Sequence, residues 1–264
     1  MKSKVILITG AGSGFGKAAA VELARRGHRV LATTHKEEDV GGLQALAAKE
    51  GIKLESFKLD VTSPEDRLRV LNYEIEVLIN NAGTGESGSL ADIPVQKIRD
   101  NFEVNVFAPI ELTQLVLKGM MKRGQGTVIF ISSLGGRVSM PFLAPYSMTK
   151  FALSGGIDAF RQEVKKISKN IFISLVEPGA YHTGFNQKNI SKKYEWMNSE
   201  SPFYDIRDKL KRQEELQFKV LESKDIRSIV KKIVKSAESR RPALRYTAPW
   251  WQAAGVQLLR IFGK

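Results

Sequence analysis

The stretch VILITGAGSGFG, residues 5–16, decides the fold of this chain. Its four apolar residues at 5–8 predict a short buried strand, and a glycine-rich turn follows directly. A helix-forming segment then runs to Arg26 and Gly27, and residues 28–33 predict a second strand. Together they predict a right-handed βαβ unit. Backbone N–H groups of such a turn can approach a pyrophosphate at the helix N-terminus, although a tight turn without a ligand shows the same pattern.

The remaining chain repeats this alternation of strands and helices. Strands are predicted at 53–59, 77–79, 126–131, 170–176 and 244–248, and helices at 38–50, 63–73, 95–123, 146–168 and 224–236. No linker, repeat or low-complexity segment divides the chain. The sequence therefore predicts an α/β fold, a single doubly wound domain over residues 1–264 with a mostly parallel sheet and helices on both faces.

The composition narrows the classes of function. The 264 residues include no cysteine, which excludes disulfides and thiol chemistry. The three histidines, His28, His35 and His182, show no ligand spacing, so we interpret them as surface or loop residues and predict no metal site. The apolar run at 5–8 is too short for a signal peptide, and no stretch approaches the roughly 18 apolar residues of a membrane span. These features favour a cytoplasmic protein.

The net charge of +13 is concentrated near the C-terminus. Residues 184–264 contain 18 Lys and Arg against 9 Asp and Glu, a net charge of +9. A solvated basic face explains such an excess, and so does an acidic partner such as an anionic membrane or a nucleic acid. No nucleic-acid-binding module is recognisable there, so we expect no nucleic acid as a partner.

A second stretch, PYSMTK at 145–150, carries the candidate chemistry. If Tyr146 opens a helix, Lys150 lies one turn later on the same face. An ammonium near a phenol lowers the phenol pKa from about 10 toward the range useful for general acid–base catalysis. Ser133, at the end of a predicted strand, could hold a carbonyl oxygen beside that phenol. Tyrosine and lysine at this spacing are, on their own, more often a solvated helix face.

Four ordered motifs give the chain a resemblance to a known family. They are TGxxxGxG from Thr9 to Gly16, NNAG at 80–83, YxxxK from Tyr146 to Lys150 with Ser133 before it, and Pro178-Gly179 followed by Thr183. Over residues 4–248 the chain resembles the short-chain dehydrogenase/reductase family, and loosely its hydroxysteroid and retinol dehydrogenase members. The resemblance implies a seven-stranded Rossmann-type sheet, an oxidoreductase that interconverts carbonyls and alcohols with a nicotinamide cofactor, and a homodimer or homotetramer.

The resemblance implies four catalytic residues. Tyr146 would exchange a proton with the substrate oxygen, and Ser133 would donate a hydrogen bond to that oxygen. Lys150 would lower the tyrosine pKa and bind the nicotinamide ribose. Asn105 would support a water chain to the lysine.

The resemblance also implies a set of cofactor-binding residues along the carboxyl ends of the strands. Asp60 would approach the adenine, although an N-cap before Pro64 is its alternative role. Thr183 would bind the nicotinamide carboxamide. The full expected set is Thr9, Gly10, Ser13, Gly14, Phe15, Gly16, Thr34, His35, Lys36, Asp60, Val61, Asn81, Ala82, Gly83, Tyr146, Lys150, Pro178, Gly179 and Thr183.

The end of the second strand bears on cofactor choice. A carboxylate there would bind the ribose 2′-hydroxyl of NAD and repel a 2′-phosphate. This chain instead has Thr34, His35 and Lys36, and its first acid there is Glu37. Hydroxyls followed by a cation suit a 2′-phosphate, so NADP(H) is favoured over NAD(H). The family's usual arginine is missing and Ser13 is neutral.

Two segments bear on the substrate. Residues 184–222 mix aromatic residues with lysines, and by resemblance they form the variable substrate lid. Residues 249–264 form a tail in which Trp250, Ala254, Leu258 and Ile261 recur at helical spacing, with Arg260 and Lys264 outward. The tail could cover the substrate cleft, pack on another subunit or contact a membrane peripherally. The aromatic content favours a steroid-, retinoid- or lipid-like substrate.

Rival functions stay open at this point. One is NAD-dependent oxidation of a small alcohol. Another is a non-catalytic regulator that senses the cofactor, because the same fold serves many functions. The complete set of Ser133, Tyr146 and Lys150 argues against the regulator, since a sensor does not need these side chains.

Overall fold

A parallel sheet forms the centre of the molecule. The computed structural model describes residues 2–263, with only the backbone at positions 215 and 217–219. In this part of the chain the sheet has seven strands in the order β3-β2-β1-β4-β5-β6-β7, and all six pairings are parallel. The strands are β1 Val5–Ile8, β2 Arg29–Thr34, β3 Leu54–Lys58, β4 Val77–Asn80, β5 Gly126–Ile131, β6 Ile171–Pro178 and β7 Arg245–Ala248.

Helices cover both faces of this sheet. They are α1 Gly14–Arg25, α2 Glu38–Glu50, α3 Pro64–Leu68, α4 Val95–Phe102, α5 Ala108–Arg123, α6 Ala144–Ile167, α7 Phe185–Asn189, α8 Lys193–Trp196, α9 Arg207–Leu221, α10 Arg227–Glu238 and α11 Trp250–Ile261. Successive strand residues point to opposite faces, so Ile6 and Leu7 enter different hydrophobic clusters. One cluster packs against α1 and α10, and the other against α5 and α6. The predicted doubly wound α/β architecture is confirmed.

The predicted helix at 95–123 contains an irregular turn. Residues Glu103–Phe107 form a π-helical turn between α4 and α5. Such a turn holds one residue more than an α-helical turn and is frequent at functional sites. Asn105 lies within it and is buried.

Other segments differ from the sequence predictions in local detail. The helix predicted at 63–73 is α-helical only over Pro64–Leu68 and continues as a 3₁₀ turn at Arg69–Asn72. The loosely patterned segment 184–222 contains α7, α8 and α9. His28 lies in the loop between α1 and β2, as expected, but it is buried and not on the surface. Its Nδ1 accepts a hydrogen bond from the Lys4 N–H, and its Nε2 lies 3.3 Å from Glu238.

The tail is helical, as its apolar spacing predicts. Helix α11 covers most of it, and Lys264 lies outside the described residues. Within residues 2–263, no helix combines the length and the apolar character needed to cross a bilayer.

Candidate active site

The carboxyl ends of the central strands meet beside the glycine-rich turn. Gly10 and Gly14 have φ angles of +65° and +56°, which residues other than glycine rarely adopt. Gly16 lies so close to the rest of the turn that a Cβ there would be 2.6 Å from the Gly10 carbonyl oxygen. Helix α1 begins at Gly14, without an acid in its first turn and without a capping bond from the Ser13 side chain. The arrangement leaves backbone donors for an anion such as a pyrophosphate.

Thr9 joins the ends of β1 and β4. Its hydroxyl oxygen accepts hydrogen bonds from the N–H groups of Asn81 and Ala82, both at 3.0 Å. The Asn81 side-chain amide donates to the carbonyls of Thr9 and Gly10, both at 2.9 Å. These four bonds fix the glycine-rich turn to the NNAG segment. The Asn81 amide therefore links the end of β4 to the end of β1.

At the end of β2, the side chains predicted to choose the cofactor have protein partners. The Thr34 hydroxyl donates to the Lys36 carbonyl at 2.7 Å. The Lys36 ammonium lies 3.0 Å from Glu38, which raises the pKa of the lysine. His35 Nδ1 lies 3.4 Å from an Asp60 carboxylate oxygen.

Asp60 and Val61 follow β3 at the same edge of the sheet. Asp60 accepts hydrogen bonds from the backbone and the hydroxyl of Thr62. It is not the N-cap of α3, because that cap is Ser63, whose hydroxyl accepts from Asp66 N–H at 3.1 Å. Val61 is buried and its carbonyl accepts a bond from Arg67.

Tyr146 lies in the first turn of α6, close to the end of β5. A Cβ placed on Gly135 would be 3.3 Å from Ser133 Oγ and 3.6 Å from Tyr146 Cε1, so both side chains border the same point. Ser133 Oγ accepts a hydrogen bond from Gly135 N–H at 3.0 Å. Burial raises the pKa of Tyr146 to about 12, and a hydrogen bond with Ser133 opposes this rise. At neutral pH the phenol therefore holds its proton and can donate it.

Lys150 is buried one turn after Tyr146. Its Nζ lies 5.6 Å from the centre of the Tyr146 ring and donates to the Ile131 carbonyl at 3.0 Å. Burial lowers the pKa of Lys150 to about 8. The pKa of the phenol therefore shifts upward and not downward as the YxxxK spacing predicted, because burial removes water from the phenol.

Asn105 uses its side-chain amide to join three segments. Its Oδ1 accepts from Thr84 N–H at 2.9 Å, and its Nδ2 donates to the Thr84 carbonyl at 2.8 Å and to Thr149 Oγ1 at 3.1 Å. Thr149 Oγ1 donates in turn to the Tyr146 carbonyl at 2.8 Å. Asn101 was not identified from the sequence, yet its amide donates to the Pro145 carbonyl at 3.0 Å. Two asparagines four residues apart on an amphipathic helix were the available signal.

The segment after β6 lies over the glycine-rich turn and near Ser133. A Cβ on Gly14 would be 3.7 Å from the Thr183 Cβ, and the Pro178 carbonyl is 3.5 Å from Ser133 Oγ. Gly179 packs against Gln252 of α11, whose Oε1 accepts from Ala180 N–H at 2.7 Å. A contact between residues so distant in sequence carries no local signal.

Aromatic side chains of the predicted lid contact Tyr146 and the segment just before α6. The rings of Phe185 and Tyr146 are 5.9 Å apart, and those of Phe203 and Phe142 are 5.1 Å apart in an edge-to-face contact. Phe142 has a φ angle of +61°, an uncommon conformation for a bulky residue. By contrast, Phe15 turns toward the core and contacts Tyr181 edge-on at 5.4 Å.

Glu177 is a fully buried carboxylate at the end of β6. One oxygen accepts from Arg137 at 2.5 Å and the other from Arg245 at 2.6 Å. Arg137 follows the short turn after Ser133, and Arg245 begins β7, so the carboxylate connects the Ser133 turn to the sheet. Sequence reasoning missed this cluster, although an acid inside an apolar strand signals a buried partner.

Comparisons with known proteins agree with this arrangement. The family model described as short chain dehydrogenase matches residues 4–194. The chain is 35% identical over 196 residues to 3-ketodihydrosphingosine reductase of Bacteroides thetaiotaomicron, covering 73% of this chain and 70% of that protein. It is 36% identical over 193 residues to retinol dehydrogenase 8 of Bos taurus, covering 70% of this chain and 61% of that protein.

A solved short-chain dehydrogenase from Streptomyces avermitilis superimposes with a TM-score of 0.79 at 30% identity, covering 98% of this chain and 93% of that one. The family match, the relatives and the parallel sheet all identify the same protein family. The chain belongs to the short-chain dehydrogenase/reductase family, whose members bind NAD or NADP, and is an oxidoreductase of the class that acts on CH–OH groups.

Proposed function

We propose that this protein interconverts a hydrophobic ketone or aldehyde and its alcohol, with Tyr146 as the general acid and base. The observation that carries the proposal is the meeting of Ser133, Tyr146 and Lys150 next to the glycine-rich turn. In the reducing direction, Tyr146 donates its proton to the substrate oxygen as negative charge develops there. The bound nicotinamide supplies or accepts the hydride.

The neighbouring residues prepare the site for this proton transfer. Ser133 donates a hydrogen bond to the substrate oxygen, which stabilises the developing charge. Lys150 binds the nicotinamide ribose and, when protonated, favours the phenolate that remains after transfer. Asn105 keeps Lys150 and the first turn of α6 in register through Thr84 and Thr149, and by resemblance it supports the supply of protons to the lysine.

The glycine-rich turn and its neighbours fit a dinucleotide. Gly10, Gly14 and Gly16 keep side chains out of the turn, and Thr183 lies over it. Asn81, Ala82 and Gly83 form the opposite side. Pro178 and Gly179 would hold the nicotinamide end of a bound cofactor, and His35, Asp60 and Val61 would hold its adenine end.

NADP(H) is the favoured cofactor in this proposal. No carboxylate occurs at residues 33–36. Two exposed residues stand at the end of β2, the cation Lys36 and the potential cation His35. The rival is NAD-dependent oxidation of a small alcohol, and two observations favour it. Lys36 is paired with Glu38, and the Asp39 carboxylate lies 3.7 Å from the position of a Cβ on Gly12.

A fluorescence titration with NADPH and NADH decides between these cofactors. We expect tighter binding of NADPH, a weaker NADPH affinity in Lys36→Ala, and little change in NADH affinity. Equal or tighter NADH binding by the unaltered protein would replace NADP(H) by NAD(H) in the proposal. Exposed Lys49 on α2 gives a matched control in Lys49→Ala.

The hydrophobic substrate class rests on the aromatic surroundings of Tyr146. Phe185 lies beside the phenol, and Phe142 and Phe203 form a second aromatic contact nearby. The matched relatives named above carry names for a long-chain ketone and a retinoid alcohol, which supports the same class. Turnover of medium- and long-chain ketones, compared with acetone, measures the preference.

The decisive test of the chemistry is Tyr146→Phe. This change removes the hydroxyl and keeps the ring against Phe185. We expect turnover to fall below about one thousandth while NADPH affinity stays within about threefold, because the lost interaction belongs to proton transfer. Full turnover in this variant would remove Tyr146 from the mechanism.

We also propose that the protein forms a homodimer or homotetramer through α5 and α6. Members of the family typically oligomerise. Apolar side chains are exposed along these helices and at the end of the π-helical turn before α5, namely Phe107, Ile110, Met148 and Phe151. Sedimentation equilibrium of the Phe151→Ser variant should show a smaller assembly than that of the unaltered protein.

A further inference from the structure

Helix α11 presents its apolar side to solvent. Its partly covered residues are Gln252, Ala253 and Val256, which fall on one side of the helix. The opposite side carries large apolar side chains, with Trp250 80% and Phe262 78% exposed. The exposed set is Trp250, Trp251, Leu258, Leu259, Ile261 and Phe262. A surface helix normally buries such a side, so this surface is built to contact something.

The apolar surface continues onto the end of α9. Gln252 Nε2 donates to the Leu221 carbonyl at 2.8 Å, which fixes the start of α11 against the last turn of α9. Val220 and Leu221 are exposed there. Together with the exposed residues of α11 they form what we call the tail surface.

Charge decides between a second copy of this chain and a lipid surface. The part of the chain that carries the tail surface, residues 184–264, has a net charge of +9, and Lys209, Lys211 and Arg212 are exposed on α9. Two copies joined through this region would bring like charges together, which opposes association. An anionic bilayer attracts the same charges, and exposed tryptophans are suited to its interface. We propose that the tail surface docks on an anionic lipid bilayer.

The contacts of Gln252 connect this surface to the candidate active site. Its Oε1 accepts from Ala180 N–H at 2.7 Å, and its Nε2 reaches the Leu221 carbonyl at the end of the predicted lid. Docking therefore brings the base of the lid to the bilayer, where a hydrophobic ketone or alcohol is dissolved. This consequence for substrate delivery rests on the proposed function, whereas the docking itself does not.

Vesicle sedimentation tests the docking with the purified full chain. The vesicles contain phosphatidylcholine with or without phosphatidylglycerol, and no cofactor or substrate is added. We expect salt-sensitive binding to vesicles that contain phosphatidylglycerol. The double variant Trp250→Ser/Phe262→Ser should bind at least about tenfold more weakly, because it loses two interfacial aromatic rings. The control Leu90→Ser/Val95→Ser removes exposed apolar side chains elsewhere and should bind normally.

Two results would overturn the proposal. One is equal vesicle binding by the double variant and the unaltered protein. The other is absence of vesicle binding by the unaltered protein. A dimer in sedimentation equilibrium that the double variant abolishes would then show that a second copy covers the surface. Activity on a water-soluble ketone is measured in parallel and should be the same for the double variant and the unaltered protein. If the unaltered protein binds vesicles but shows no activity on any ketone, the proposed function is rejected and the docking proposal stands.

Discussion

Replacing Lys150 by methionine should make the protein more stable at neutral pH while abolishing its activity. The side chain is only 6% exposed, and burial lowers its pKa from 10.5 to about 8. That difference means that keeping the buried lysine protonated costs about 3 kcal/mol at pH 7. Methionine removes this cost but leaves the Ile131 carbonyl without its donor, a loss of about 1 kcal/mol. The expected net gain in the free energy of unfolding is about 2 kcal/mol.

The pH dependence of this gain tests its origin. Between pH 8 and pH 10 the unfolded chain holds the lysine proton more tightly than the folded one, so the unaltered protein gains stability as pH rises. The cost of the lysine falls to about 1 kcal/mol at pH 10, and the advantage of Lys150→Met should disappear. Above pH 10 the raised pKa of Tyr146 acts in the opposite direction, so the comparison stops there.

Urea unfolding followed by circular dichroism at pH 7 and pH 10 measures these differences. Exposed Lys166, near the end of the same helix, provides the control Lys166→Met, which should leave stability unchanged. The reasoning is refuted if Lys150→Met is no more stable than the unaltered protein at pH 7, or if its advantage does not depend on pH.

Three further substitutions probe the framework of the site, the first two by urea unfolding and the third by NADPH binding. Thr9→Val deprives the N–H groups of Asn81 and Ala82 of their acceptor and should cost about 2–4 kcal/mol, whereas Thr9→Ser should cost far less. Glu177→Gln removes a fully buried carboxylate charge, which leaves the half-buried Arg137 without its counter-charge while Arg245 keeps Asp158, and should cost about 2–3 kcal/mol; a loss below about 1 kcal/mol would contradict this. Gly16→Ala places a Cβ 2.3 Å from the Asn81 amide nitrogen and should weaken NADPH binding at least about tenfold, measured by fluorescence.

The general fold was predictable because periodicity and glycine chemistry are local properties. Short apolar runs predicted the strands and their alternation with helices predicted a mostly parallel sheet, while the number of seven strands came from the family resemblance. The ends of most strands fell within one or two residues of the prediction. The glycine-rich turn and the YxxxK spacing likewise depend on neighbours in sequence. Residues such as Ser133 and Tyr146 could therefore be identified as candidates before any coordinates were considered.

The features that sequence reasoning missed depend on contacts between distant segments. The bonds of Glu177 to Arg137 and Arg245 join residues 40 and 68 positions apart. The predicted direction of the Tyr146 pKa shift was wrong. The prediction considered the nearby Lys150 ammonium but not the burial of the phenol away from water. The outward apolar side of α11 was equally hidden, since helical spacing shows that a face exists but not what it faces.

The π-helical turn at Glu103–Phe107 makes the site sensitive to the number of residues and not only to their identity. Deleting one residue from the turn would restore regular α-helical hydrogen bonding and improve the helix locally. It would also rotate α4 by about 100° relative to α5, because each residue of an α-helix advances by that angle. Asn101 would then leave the Pro145 carbonyl, and the first turn of α6 would lose one of its supports. The number of residues in this turn is therefore fixed by the contacts of the helices on both sides of it.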